Sequence, residues 1–192
     1  MDLLGMDSKK TTIAVQGFGS VGASAVLYLA KAGCLIIAIA DVEGTIVNKL
    51  GLDIEQLILL KNKLEIINRA LLSKDHILLP REVWLELEAD VLIPAAIADT
   101  ITLENSSVIK ANLIVEGANI PTTKEAEKEL TNRGVHIIPD FIANAGGVGV
   151  LGIILDSKVE PTKEGIFGYL NEKIGTTTMD CLQNALMKGK SV

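Results

Sequence analysis

Three closely spaced glycines are the residues of this sequence whose spacing most directly predicts chemistry. In the string GFGSVG, the first glycine permits a tight turn, the second leaves no Cβ in the way of a diphosphate, and the third lets a helix pack close to a sheet. Amide N–H groups at the start of such a helix, together with the positive end of its dipole, stabilise a bound anion. The string therefore predicts a dinucleotide-binding loop, which consists of Gly17, Phe18, Gly19, Ser20, Val21 and Gly22.

An acidic residue completes the pattern further along the chain. Asp41, followed by Val42, comes directly after the apolar run at residues 35–40. A carboxylate at the end of the second strand of such a unit can accept hydrogen bonds from an adenosine ribose, and it repels a 2′-phosphate. We therefore expect Asp41 and Val42 to bind the adenosine half of NAD, with NADP as the alternative coenzyme. The competing interpretation is that Asp41 only begins the turn at Glu43 and Gly44.

A dinucleotide-binding loop needs a strand before it and a helix after it, and the sequence predicts both. Residues 11–16 form a β-branched run, and residues 20–32 place apolar residues at helical spacing. Strands that alternate with helices imply parallel crossovers, so we predict an α/β fold with a doubly wound parallel sheet and a C-terminal helical extension. The expected domains are 1–158 for dinucleotide binding and 159–192 for the extension. The further predicted strands are at residues 35–40, 90–93, 112–115 and 135–138.

Between the second and third predicted strands the pattern is weaker. Residues 45–47 predict only a small excursion from the turn. Asp53 is suited to cap a helix over residues 54–64. We expect residues 68–80 to form an irregular insertion.

Composition excludes several classes of protein. Apolar residues make up 48% and charged residues 22%, which excludes a disordered chain, and the net charge of −6 argues against a nucleic-acid partner. Cys34 and Cys181 cannot form a disulfide framework, and neither lies at metal-ligand spacing, so no metal site is expected. No apolar run approaches the roughly 20 residues that span a bilayer, and no signal-peptide pattern opens the chain. We expect a cytoplasmic protein with no membrane partner.

The glycine string belongs to a longer set of motifs. These are VQGFGSVG, Pro94-Ala95-Ala96, EGANIPTT and IPDFIANAGGV. Together they closely resemble the coenzyme domain of the glutamate dehydrogenases, and the resemblance covers nearly the whole chain. It implies a Rossmann-type NAD-binding domain.

The resemblance also implies roles for particular residues. Gly17, Gly19, Ser20 and Gly22 would hold the pyrophosphate, and Asp41 the adenosine ribose. Ala95 and Ala96 would line the cleft, Asn119 would contact the nicotinamide ribose, and Asn144 the carboxamide. An Asn offers both a donor and acceptors, as these contacts need. The alternative is that each Asn only caps a helix or turns a loop.

Catalysis is the point at which the sequence departs from the family. The resemblance places the catalytic lysines and aspartate in a preceding substrate domain that has no counterpart here, so no catalytic residue is assigned. We expect structural roles for His76, His136, Glu116 and Asp140. The chain alone should bind dinucleotide without turnover, and its extension should pack toward a substrate domain or a second polypeptide. A homo-oligomer is a further expectation.

Three alternatives stay open from the sequence. Leu151 stands where glutamate-specific members of the family tend to have a serine, which suggests an apolar amino acid, as in the leucine and phenylalanine dehydrogenases, while EGANIPTT favours glutamate. The chain could instead be a non-catalytic module that binds NAD or mediates assembly. A third reading is a binder of another adenosine ligand, such as S-adenosylmethionine, on the same fold.

Overall fold

A seven-stranded sheet forms the centre of the protein. The computed structural model describes residues 2–155 and 159–188. Along the chain the strands are β1 (Thr12–Gln16), β2 (Leu35–Asp41), β3 (Gly44–Val47), β4 (Ile77–Leu79), β5 (Val91–Pro94), β6 (Leu113–Val115) and β7 (His136–Ile138). Their order across the sheet is β4-β3-β2-β1-β5-β6-β7. β1 is parallel to β2 and β5, and the β5, β6 and β7 pairs are parallel as well.

Helices cover both faces of this sheet. They are α1 (Ser20–Lys31), α2 (Ile54–Leu59), α3 (Leu103–Ser106), α4 (Lys124–Asn132), α5 (Asp140–Ala143), α6 (Gly146–Leu155) and α7 (Lys163–Met187). Short 3₁₀ turns lie at Asp2–Leu4, Arg69–Leu71 and Arg81–Leu85. No helix within residues 2–155 and 159–188 combines the length and the apolar character that a membrane crossing requires.

Two apolar cores, one on each face, explain why the strands are aliphatic throughout. Ile13 and Val15 of β1 pack with Val26 of α1 on one face, whereas Ala14 packs with Trp84 on the other. Both sides of a central parallel strand are buried, so both need apolar side chains. The doubly wound α/β fold predicted from these runs is confirmed.

The C-terminal helix α7 packs on the α1 face of the sheet. Leu182 is buried in the core of that face, and the rings of Tyr28 in α1 and Phe167 in α7 lie 5.7 Å apart between centroids. The boundary expected at residue 158 falls within residues 156–158, outside the described residues.

The sheet differs from the prediction at one edge, where β3 runs antiparallel to both of its neighbours, β2 and β4. Asp41 pairs with Gly44 across a two-residue turn, and Gly44 adopts a φ of +144° that favours glycine. The chain therefore turns straight back into β3. The excursion predicted at residues 45–47 is part of this strand, and the insertion predicted as irregular contains β4.

Local pairing also shortens the helices. The helix predicted over residues 54–64 ends at Leu59, because Lys61 forms a β-bridge with Ile67 and the chain between them becomes a closed loop. The glycine-rich apolar segment at residues 146–155, for which no element was assigned, is helix α6.

Candidate functional site

The glycine loop connects the end of β1 to the start of α1, as predicted. Gly17 has a φ of +98°, and a Cβ there would lie 2.9 Å from the Ala95 carbonyl oxygen. A Cβ at Gly22 would lie 2.0 Å from the Gly17 carbonyl oxygen, so the close packing of α1 against the loop requires glycine. At Gly19 the three atoms nearest to a Cβ position all belong to the Glu65 carboxylate, the closest of them at 2.7 Å. Gly17 and Gly22 thus serve the fold, and the missing Cβ at Gly19 lets the Glu65 carboxylate come close to the loop.

A cavity of about 350 Å³ opens beside this loop, within the size range of small-molecule sites. Nine of the twelve residues predicted to bind the coenzyme line it, so most of the predicted set does meet in one place. These are Gly17, Phe18, Gly19, Ser20, Val21, Asp41, Val42, Ala95 and Ala96. Gly22 packs against the loop instead, and the two predicted asparagines lie elsewhere.

Asp41 lines this cavity, as expected of an adenosine-binding residue, but its carboxylate already accepts hydrogen bonds from other residues of the chain. The Arg69 guanidinium donates to both carboxylate oxygens, the Glu43 N–H donates to Oδ1 at 2.9 Å, and the Ile67 N–H donates to Oδ2 at 3.1 Å. A carboxylate has about four acceptor positions, and here four donors occupy them. The predicted ribose contact would therefore require one of these donors to leave. Sequence reasoning missed Arg69, because it lies in the segment that showed no regular pattern.

The loop between Lys61 and Ile67 contacts the glycine loop. The Lys61 ammonium donates to the Phe18 carbonyl at 3.1 Å and lies 5.5 Å from the centroid of the Phe18 ring. Asn62 Oδ1 accepts from two N–H groups further along, at 2.8 and 3.1 Å, and fixes the loop internally. Glu65 has a φ of +63° and directs its Oε2 to within 2.7 Å of the Cβ position of Gly19. An acidic group thus lies beside the glycine expected to face a diphosphate.

The two predicted asparagines lie side by side. The Asn144 Nδ2 donates to the Asn119 Oδ1 at 2.8 Å, and Asn144 is also the C-cap residue of α5, its N–H donating to the Asp140 carbonyl. Asn144 also lines a second, largely apolar cavity of about 320 Å³. Asp41 ends β2, whereas the asparagines follow β6 and β7, so they lie across β1 from Asp41 in the strand order.

The other polar residues near the strand ends hold the backbone. Glu116 is 6% exposed and accepts from the Asp140 N–H at 3.1 Å. Burial raises the pKa of the Glu116 carboxyl, and the hydrogen bond from Asp140 offsets part of this effect. Asp140 in turn accepts from the Ile120 N–H at 2.8 Å. These contacts agree with the structural roles expected for both acids.

Neither histidine is among the described residues that line the cavity. His76 is half-buried, and its ring contacts the Ser73 hydroxyl at 2.9 Å. His136 lies in β7, and the Leu151 side chain is outside the described residues. Within residues 2–155 and 159–188, no cluster of His, Cys, Asp and Glu is arranged to hold a metal ion.

Comparison with known proteins assigns the chain to a family. A family model described as "Glutamate/Leucine/Phenylalanine/Valine dehydrogenase" matches residues 1–191. A glutamate dehydrogenase of Thermotoga maritima is 44% identical over 78% of this chain and 36% of its own length. An NAD-specific glutamate dehydrogenase A of Halobacterium salinarum is 45% identical over 73% of the chain and 32% of its length. An NADP(+)-dependent glutamate dehydrogenase of Pyrobaculum calidifontis is 40% identical over 71% and 33%.

Solved structures share the fold. A glutamate dehydrogenase of Plasmodium falciparum superposes with a TM-score of 0.84 at 24% identity, over 97% of this chain and 42% of that one. A hetero-hexameric glutamate dehydrogenase from Thermus thermophilus, in a leucine-bound form, gives 0.82 at 24% identity, over 99% and 45%. The chain spans about a third of the length of the curated relatives it matches. With the family model matching nearly all of its residues, the chain belongs to the Glu/Leu/Phe/Val dehydrogenase family.

Proposed function

We propose that this chain is the coenzyme-binding part of a glutamate dehydrogenase and that it binds NAD or NADP. The observation that carries the proposal is the cavity beside the glycine loop, which is lined by nine of the twelve residues predicted to bind the coenzyme. The curated relatives named above are all glutamate dehydrogenases, which favours glutamate as the substrate of the whole enzyme. That enzyme would convert L-glutamate to 2-oxoglutarate.

The residues present fit a dinucleotide laid across the glycine loop. The pyrophosphate would lie against Gly19, where the N–H groups at the start of α1 and the Ser20 hydroxyl can donate to it. The adenosine would lie toward Val42, and the nicotinamide toward Asn119 and Asn144, whose amides can bind a ribose hydroxyl and a carboxamide. When bound, the nicotinamide supplies the hydride acceptor for oxidation of an amino acid.

Turnover requires groups beyond this site. Removing hydride from an amino acid needs a base and a clamp for the carboxylate, both held over the nicotinamide. Glu116 and Asp140 are engaged in backbone contacts, which leaves them unsuited to that task. We therefore assign the isolated chain a binding role, and we assign the reaction to the chain together with a substrate domain or second polypeptide.

Partners and location follow from the same proposal. The substrate-binding partner would approach the nicotinamide end of the loop, and assembly into an oligomer with further copies is part of the proposal. Cys34 and Cys181 are both free thiols, as expected in a reducing compartment. We place the protein in the cytoplasm.

Calorimetric titration of the chain with NADH and with NADPH tests the proposal. We expect binding of at least one dinucleotide, and we expect Gly19→Ala to weaken it by at least tenfold. Thermal unfolding should stay nearly unchanged, because the backbone at Gly19 (φ −72°, ψ −163°) suits any residue and because the Glu65 carboxylate, which the new Cβ would meet, is the end of a flexible side chain. Gly168→Ala is the control, since a Cβ at Gly168 meets nothing within 4 Å. Absence of binding to both dinucleotides would overturn the proposal.

Activity measurements separate the remaining alternatives. The chain alone should form no NADH from glutamate, and mixing it with a substrate-domain polypeptide of a relative should restore activity. If no such mixture is active, a non-catalytic module is favoured. Comparing glutamate with leucine and phenylalanine in the active mixture tests the apolar substrates that Leu151 suggested. Competition between NADH and S-adenosylmethionine tests a different adenosine ligand.

A further inference from the structure

The adenosine end of the cavity differs from the arrangement that selects NAD. That selection needs a carboxylate free to accept from the ribose and to repel a 2′-phosphate. Here the Asp41 carboxylate is only 4% exposed and forms an ion pair with Arg69, whose guanidinium also donates to the Ile67 carbonyl at 2.7 Å. The positive charge in direct contact with Asp41 offsets its repulsion of a phosphate. Neither function of the carboxylate is therefore available.

A cation lies at the same end of the cavity. Among the described residues that line it, Arg81 is the only lysine or arginine. The Arg81 carbonyl accepts from the Thr45 hydroxyl at 2.9 Å, which ties the residue to β3, directly beside the pair formed by Asp41 and Gly44. The backbone of Arg81 is thus fixed next to the turn that ends β2.

The side chain of Arg81 is free to take a new partner. It is 52% exposed, and it contacts only the neighbouring Glu82 carboxylate, at 3.3 Å, among the ion pairs of the described residues. An exposed pair of this kind contributes little, so an incoming anion can replace it at small cost. Glu65, the other acid that lines the cavity, lies beside Gly19 at the diphosphate end.

We propose that this site binds NADP(H) at least as tightly as NAD(H), and that Arg81 is the specificity-determining residue, which binds the 2′-phosphate. The proposal rests on the proposed function, because it concerns the same cavity. A guanidinium can donate two parallel N–H groups to a phosphate, a contact about twice as strong as one between neutral groups. We therefore expect the opposite of the preference for NAD that Asp41 suggested from the sequence, because Arg69 forms an ion pair with the Asp41 carboxylate.

Two adenosine nucleotides isolate this interaction. Adenosine 2′,5′-bisphosphate and adenosine 5′-monophosphate differ only in the 2′-phosphate, and neither requires the nicotinamide end of the site. We expect the bisphosphate to bind about tenfold more tightly in calorimetric titration, the effect of one charge-assisted contact. Arg81→Gln should abolish this difference and leave the affinity for the monophosphate within about twofold. The difference should also shrink as salt is added.

A matched control is Lys110→Gln. Lys110 is 54% exposed and forms an ion pair with Glu88 at 3.3 Å, and it does not line the cavity. We expect this variant to behave as the unaltered chain, which excludes an effect of net charge alone. If the monophosphate binds more tightly than the bisphosphate, or if Arg81→Gln weakens both equally, the inference is wrong while the proposed function stands. If neither nucleotide binds and NADH does not bind either, both fail.

Discussion

The Glu65 carboxylate should weaken dinucleotide binding, and Glu65→Gln should strengthen it. Its Oε2 lies 2.7 Å from the Cβ position of Gly19, the residue against which the pyrophosphate is expected to lie. Gln has nearly the same shape as Glu, so the substitution removes the charge and keeps the contact with the loop. The loop itself should persist, because Lys61 and Asn62 hold it through their own hydrogen bonds.

The size of the effect follows from the distance between charges. At a separation of about 5 Å, the repulsion between the carboxylate and each of the two negative charges of a pyrophosphate costs roughly 0.8 kcal/mol in water. Screening at physiological ionic strength, with a Debye length of about 8 Å, reduces the total to roughly 1 kcal/mol. We therefore expect the dissociation constant for NADH to fall about fivefold in the variant, and more at low salt.

Calorimetric titration with NADH at two salt concentrations measures this gain. Glu88→Gln is the control, because Glu88 is 85% exposed on its side chain and lies outside the cavity. Unchanged or weaker binding by Glu65→Gln, with a thermal unfolding curve like that of the parent chain, would refute the reasoning. So would a gain that does not decrease as salt is added.

Three further predictions concern stability. Gly22→Ala should destabilise the protein by about 3 kcal/mol or more, since its Cβ would meet a backbone oxygen at 2.0 Å. Gly175→Ala in α7, with open space around it, should instead stabilise the protein by about 0.5–1 kcal/mol. Thermal unfolding compares the two variants. Arg69→Met should cost about 3 kcal/mol or more in urea unfolding, because it leaves Asp41 buried and unpaired, and adding Asp41→Asn should recover most of the loss. Burial holds the pKa of the Glu116 carboxyl in the folded protein above its ordinary value of 4.5, so ionisation destabilises the folded state as pH rises past 4.5. Glu116→Gln should therefore be more stable than the parent at pH 7 and lose this advantage near pH 4.5.

The parts of the site that the sequence predicted are those encoded by adjacent residues. The glycine loop needs a strand before it and a helix after it, and both are visible in short stretches of apolar spacing. Gly17 and Gly22 also have local reasons to be glycine, because the positive φ of one and the close approach of the other arise within six residues. The fold class was predictable for the same reason, since buried parallel strands are recognisable one at a time.

The parts that were missed depend on residues distant in sequence. Nothing near Asp41 indicates that Arg69 would occupy its carboxylate, because the two meet only after β3 and the loop behind it have folded. The position of Glu65 depends on the bridge between Lys61 and Ile67, a pairing that has no helical or strand periodicity. The adenosine end of the site, which decides the coenzyme, is therefore the least accessible to sequence reasoning.

The central position of β1 has a consequence for how the binding loop behaves over time. β1 has a neighbouring strand on each side, and Ile13, Ala14 and Val15 are wholly buried. Amide protons in such a strand exchange with solvent only when the whole protein opens, whereas those of edge strands exchange through local fluctuations. The turn that β1 anchors is therefore preformed before a nucleotide arrives. Fraying of β4, β7 or the end of α7 leaves that turn intact.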